Sequence, residues 1–487
     1  MKETRFIIRS NFDRDGITNE IIKCIEKKSN LAFGIVYDWN SGSESEKNGI
    51  IYKRARPLFA HDCKELNGDM LPLDGDILQK MLPYKSLAME VMKRETHYDI
   101  YDRKYLEEVY YKQVKYWNTV IEQNRINNII FMVSPHQCGD YILYALARIK
   151  DINMVIVYPQ LMNRGNGSLL GKSLESIGAS IEKKYSEIKN NVSVNDYMMG
   201  IYNNAKTDRV MSYKSPKQMQ QATKKMFLST TGNQIIFKDV KRLMKIKLNI
   251  LKMNDKKGSL DYYKRLLNAR LKARKYERKM DHLDTYEKLC EKPRENERYI
   301  YFPLQMDPES SLIPLAGVYK NQEIAIEMLA YYSEKYNYKI YVKEHYVQVN
   351  RSSGYYEKLS KINNVRLIDM KENSLDLIRG AIAVASQTGN CMLEALINKI
   401  PAIAFGKGYT FKGAPNIIEV MSLDDLGAAL KIIDNGFNQY GEDEIKRYLF
   451  AIQKEMIYSY VDSLEETYKE YNKKESAKKI VEYLCNN

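Results

Sequence analysis

Two α/β domains, each built on a parallel sheet and facing one another across a cleft, are the architecture this sequence predicts. Three observations predict it. The chain has 487 residues, enough for two independent cores. From about residue 299 onward, short β-rich runs alternate with helical ones. The same strand–helix–strand signal occurs twice in the first half.

In chain order, Arg5–Ile8 and Leu31–Val36 read as strands flanking a helical run, and Asn128–Val133, Tyr141–Lys150 and Met154–Tyr158 as strand, helix and strand. Between these units, Lys104–Arg125 carries apolar and aromatic residues at helical spacing, which marks a core-packing helix without chemistry of its own. Residues 237–297 are dominated by Lys, Arg, Leu and Tyr, as in KDVKRLMKIKLNILK. A basic face on such helices suits phosphate-rich surfaces, including an anionic membrane surface. It lacks base-stacking motifs, so nucleic acid is not an expected partner. The polar run 291–298 reads as a linker, dividing the chain into domains 1–290 and 299–440, with helices over 441–487 that pack back across the junction.

The second half is the more regular. Tyr299–Pro303, Lys339–Lys343, Val365–Asp369, Ala381–Ser386 and Pro401–Phe405 are the predicted strands. Helices are predicted near Gln322–Lys335, Tyr355–Ile362, Ser374–Arg379, Cys391–Asn398 and Ser422–Ile433. Strands separated by short helices need crossover connections, and that alternation makes a parallel, Rossmann-like sheet with helices on both faces.

Composition removes several function classes. Mean hydropathy is -0.51, and no apolar run approaches the roughly 20 residues that cross a bilayer. The charged N-terminus is no signal peptide, so a cytoplasmic protein is expected. Six scattered cysteines and five scattered histidines offer neither a disulfide framework nor paired metal ligands, and no metal is expected. Lys and Arg number 76 against 62 Asp and Glu, a net +14 that implies an anionic partner.

In parallel sheets, ligands bind beyond the carboxyl ends of the strands, so each strand end is a candidate site. The first candidate, FPLQMDPESS, places Gln305, Asp307 and Glu309 on that rim, suited to hydroxyls and a base edge. YVKEHY places Lys343 and His345 where N–H donors can meet a phosphate. ASQTGNCMLEAL places Ser386, Thr388, Gly389 and Asn390 ahead of a helix carrying Glu394, a hydroxyl-rich helix entry that serves equally as a cap or an anion site. FGKGY, with Gly406 to Tyr409, covers the same region from another side. In the first half, VSPHQCGDYILYAL places His136 and Asp140 at a strand end, as general base and orienting partner or as a cap and a buried polar residue. Asp13 and Asp15, in FDRDG, read as a turn.

Taken together, FPLQMDPESS, VKEHY, SQTGNCMLEAL with INKIPAIAFGKGY and, more weakly, SPHQCGDYILYAL resemble the bacterial capsule polysaccharide biosynthesis family, which includes the Kdo transferases of capsule assembly. The resemblance covers about residues 125–160 and 299–410. It implies a metal-independent glycosyltransferase of the GT-B-like, two-Rossmann type. The nucleotide-sugar donor, CMP-linked in similar members, would bind mainly the second domain, and a surface glycan or lipid-linked acceptor the first. No cofactor beyond that cosubstrate is implied. Related sialyltransferases carry a His-Pro pair near the donor phosphate, where this sequence has His345-Tyr346. Asp140 or His136 would then deprotonate the acceptor, while a retaining double displacement would need Asp140 or Glu309 as nucleophile. A nucleotide-sugar epimerase or hydrolase of the same architecture, and a non-enzymatic polysaccharide-assembly adaptor, are the alternatives.

Overall fold

A computed structural model describes residues 3–10, 16–29, 32–38, 44–54, 69–95, 103–160, 167–189, 192–207, 233–248, 260, 263–264, 267–268, 271, 282–346, 348, 351–437, 440–458 and 472–485. The Asp13 and Asp15 turn lies outside these residues, as does much of 237–297.

The first domain is an eight-stranded sheet. In chain order its strands are β1 (Thr4–Arg9), β2 (Ala32–Asp38), β3 (Ser45–Lys47), β4 (Ile50–Arg54), β5 (Asn128–Phe131), β6 (Asn153–Gln160) and β7 (Gly167–Gly171), with β14 (Ile457–Tyr458) from the far end of the chain. In space the order is β14-β7-β6-β5-β1-β2-β4-β3. β6, β5, β1, β2 and β4 run parallel, and the antiparallel β3, β7 and β14 finish the two edges. Alternate residues of the central strands face opposite cores, so Ile7 and Ile129 join one cluster while Phe6, Ile8 and Ile130 join the other. Gly34 on β2 has a packing reason: a Cβ there would lie 2.3 Å from the Phe6 ring.

The second domain is a six-stranded, wholly parallel sheet. It comprises β8 (Tyr299–Pro303), β9 (Lys339–Lys343), β10 (Val365–Ile368), β11 (Ala383–Ser386), β12 (Ala402–Phe405) and β13 (Ile417–Val420), ordered β10-β9-β8-β11-β12-β13. The chain thus builds outward from β8 in one direction and then returns to build from β11 in the other. The first domain does the same from β1 and β5. Such reversals open a crevice beyond the strand ends, between β8 and β11 here and between β1 and β5 there.

Both predicted parallel sheets are present, and the structure adds β3, β4, β7, β13, β14 and the helix Gly75–Glu95. These strands have two to five residues, too short for periodicity to mark them, and β14 is held by pairing to β7 from the far end of the chain. Helix His282–Leu289, which the sequence division assigns to the first domain, packs on the second, where the Tyr286 hydroxyl donates to Ile368 O at 2.5 Å. Residues 291–298 lie along the β10 edge, with Arg366 paired to Glu291 at 2.9 Å and Glu297 at 2.7 Å.

After residue 440 the chain recrosses to the first domain. Helix Glu442–Glu455 packs on Ala179–Glu187, β14 pairs with β7, and helix Lys473–Cys485 buries Ile480, Val481 and Leu484 against Ile17–Lys28. The loop after β8 approaches the first domain: Lys320 Nζ lies 3.8 Å from Glu90, on the same helix as Arg94, which donates to His136 O just beyond β5. The carboxyl ends of the two sheets therefore face a common cleft. Among the described residues no helix is long and apolar enough to cross a membrane.

Candidate functional site

Strands β8 and β9 end level, Pro303 opposite Lys343, so their loops leave the sheet side by side. β11 enters the same crevice from the other side of β8. There the Gln305 side-chain amide donates to Thr388 Oγ1 at 2.6 Å, joining the first and third predicted loops across the reversal point. Thr388 in turn donates to Ser311 O at 3.0 Å. Gln305 Oε1 is buried and has no hydrogen-bond partner.

Two ionisable groups belong to the neighbouring strand ends, Lys343 at the end of β9 and Glu394 on the helix that follows β11. Burial pulls the Lys343 ammonium down to about 8, against the nearby carboxylates of Glu372, Asp369 and Glu394, while its Nζ donates to Glu372 O at 2.5 Å and Ser374 Oγ at 2.8 Å. Burial pushes Glu394 up to about 7, with the Lys343 charge opposing. Between pH 7 and 8 both groups carry charge, and small changes in surroundings move either proton. His345 is pulled down to about 4 by burial and by Arg351 and Lys343, so it is neutral at pH 7. A neutral His345 offers a phosphate an N–H donor, as the sequence suggests, and leaves the positive charge to Lys343.

Other predicted residues serve their own loops. Ser386 Oγ, fully buried, accepts from Gly389 N at 3.2 Å, and a Cβ on Gly389 would lie 2.7 Å from that oxygen. Asn390 precedes a helix of only seven residues, Cys391–Ile397, whose short dipole gives less to an anion than a long helix would. Glu309 is exposed and accepts from Ser311 Oγ. In the FGKGY loop, Gly406 adopts φ +83, and a Cβ on Gly408 would lie 1.9 Å from Leu315 O, so the loop sits tight against 315–319.

The crevice of the first domain holds His136 and Asp140, but not as partners. Asp140 Oδ1 accepts from Arg9 Nε at 2.7 Å in an ion pair with side chains 1% and 0% exposed. Arg9 Nη2 also donates to Gln137 Oε1 at 3.0 Å. His136 Nδ1 lies 2.6 Å from Ser134 O, a contact that requires the proton on Nδ1 and leaves Nε2 with a free lone pair. Burial, with the charges of Arg94 and Arg9, holds the imidazole at about 4, hence neutral at pH 7. The orienting partner of His136 is a carbonyl; Asp140 fastens the loop to β1.

Sequence reading missed the residues that hold these loops. Arg351 pairs with Glu344 at 2.8 Å and donates to Gln305 O at 2.8 Å. Gln348 clamps the backbone of Asp307, and Gln322 that of Gln305. Arg9 was findable, since it directly follows the first predicted strand, Arg5–Ile8. Arg351 was not, because nothing in its neighbouring residues marks the partners it meets, Glu344 and the Gln305 carbonyl.

Fold and site together define a two-domain α/β protein of GT-B-like architecture, with a reversal-point crevice in each domain. No family model matches the chain, and no curated protein matches it. Among solved structures, the β-Kdo 2,7 transferase KpsC of Thermosulfurimonas dismutans is 11% identical, covering 75% of this chain and 88% of its own, with a TM-score of 0.31. The UDP-GlcNAc 2-epimerase of Methanocaldococcus jannaschii is 12% identical over 93% and 99%, at 0.27. That of Neisseria meningitidis, bound to UDP-GlcNAc, is 12% identical over the whole of both chains, at 0.24.

Proposed function

We propose that this protein is a glycosyltransferase that moves a sugar from a nucleotide donor to a glycan or lipid-linked acceptor. The observation that supports it best is the opposition of the two crevices, one with amide, hydroxyl and ammonium groups, the other with a neutral histidine whose Nε2 is free to accept a proton. In this reading the donor lies over Gln305 and Thr388, with Lys343 and the His345 N–H on its phosphates and Glu309 and Glu394 toward the sugar hydroxyls. His136 Nε2 takes the proton of the acceptor hydroxyl as its oxygen bonds to the anomeric carbon. The bond from that carbon to the phosphate oxygen breaks, and the nucleotide leaves with the electron pair, stabilised by Lys343. The motif resemblance makes a CMP-linked, Kdo-like acidic sugar the first donor to try.

The second reading, a nucleotide-sugar epimerase or hydrolase, has one observation in its favour. A half-buried Glu394 near neutrality is suited to moving a proton on the sugar itself. Nucleotide release measured with and without a glycan acceptor separates the two, because only the transferase needs the acceptor. A thermal-shift series over CMP, UDP and their sugars tests the shared premise. A series in which no nucleotide raises the melting temperature overturns both, and His345→Ala should shrink whichever shift appears.

A further inference from the structure

We propose that helix Asn233–Lys247 is a docking face for an anionic lipid bilayer. Its sequence, NQIIFKDVKRLMKIK, divides by helical spacing into two apolar stripes. Ile236, Val240, Leu243 and Ile246 are half-buried or buried and form the side turned to the protein. Phe237 and Met244, seven apart, and Leu248, four further on in the turn that closes the helix, form a second stripe beside it. These three are 68%, 59% and 68% exposed. Large apolar side chains in a row on an outward face are what a water-facing helix avoids.

Charge chooses the occupant. Lys238, Lys241, Arg242 and Lys245 are exposed and flank the apolar stripe on its outer side, and the helix sequence holds a single acid. In sequence, residues 233–281 hold 16 Lys and Arg against 5 Asp and Glu, so this tenth of the chain carries +11 of its net +14. Apolar anchors beside lysines on one helix are the pattern that lies flat at a membrane interface: apolar groups enter the acyl boundary while ammonium groups meet lipid phosphates. A nucleic acid would use the lysines but leave Met244 and Leu248 with nothing to cover them.

Flotation of the full chain with vesicles tests this. The wild type should float with phosphatidylcholine–phosphatidylglycerol vesicles, stay behind with pure phosphatidylcholine, and lose binding as salt rises. Replacing Phe237, Met244 and Leu248 together by Ser should weaken binding at least tenfold with an unchanged melting temperature. Lys238→Glu with Lys245→Glu should weaken it more, at about fivefold for each charge removed near the surface. Equal binding to neutral and anionic vesicles, or unchanged binding by both variants, overturns the proposal. So does an RNA homopolymer that binds the wild type and the triple-Ser variant alike and displaces the protein fully from vesicles, since the apolar stripe would then contribute nothing.

Discussion

Lys343 and Glu394 show how a crevice sets its own pH range. Glu394 is raised from 4.5 to about 7, so its contribution to stability is present in full below 4.5 and is lost as pH rises through 7. Lys343 is lowered from 10.5 to about 8, so its contribution is present above 10.5 and is lost as pH falls through 8. For an anionic ligand, both titrations point one way: raising pH from 6 to 9 adds a negative charge at Glu394 and removes a positive one at Lys343. Nucleotide affinity measured by calorimetry is therefore expected to fall steadily across that range. Lys343→Met should bind more weakly at pH 6 and show a flatter profile, and Glu394→Gln should flatten the lower limb and melt a few degrees higher at pH 8. An affinity indifferent to pH would remove Lys343 from the phosphate site. Neutral His136 and His345, both near 4, should leave this range untouched.

At the scale of elements, loops are held by buried polar contacts, and each can be cut. Arg9 on β1 fastens the helix Cys138–Ile149 through Asp140. Removing one partner leaves a buried charge unpaired, so Arg9→Met should cost about 3–5 kcal/mol in urea unfolding. Arg9→Met with Asp140→Leu should recover most of it, because no charge then remains to be desolvated. A single variant as stable as the wild type would show that water reaches Asp140. Gly408→Ala drives a methyl into the Leu315 carbonyl and must displace one of two site loops. We expect a loss of about 1–3 kcal/mol and a larger proportional loss of nucleotide binding, read by the same thermal shift.

Across the whole molecule, the two domains are sewn together by the end of the chain. Tyr448 in the crossing helix donates to Lys412 O at 3.0 Å and meets Tyr185 edge-on at 5.5 Å, while Asn398 and Arg379 of the second domain donate to Ala205 O in the first at 3.1 and 3.3 Å. With this many shared contacts the protein should unfold in one calorimetric transition, and two well-separated transitions would contradict the packing. A chain ending at residue 440 loses β14 and the apolar cover of Ile480, Val481 and Leu484, so it should aggregate or melt far below the full chain.

The alternation of strand and helix was legible because it is local: periodicity and chain reversal are written in neighbouring residues. The strand ends were legible for the same reason, and Gln305, Lys343, His345, Thr388 and Glu394 do stand where β8, β9 and β11 give way to loop and helix. Which of them meet was decided only by tertiary structure. Strand order brings Thr388 against Gln305 across 83 positions of sequence, and burial turns His345 neutral and Glu394 weakly acidic. The pairing of Asp140 with Arg9, 131 residues away, took it from His136. Residue type and local pattern are properties of short stretches, whereas partner, exposure and charge state depend on what the rest of the chain packs around them.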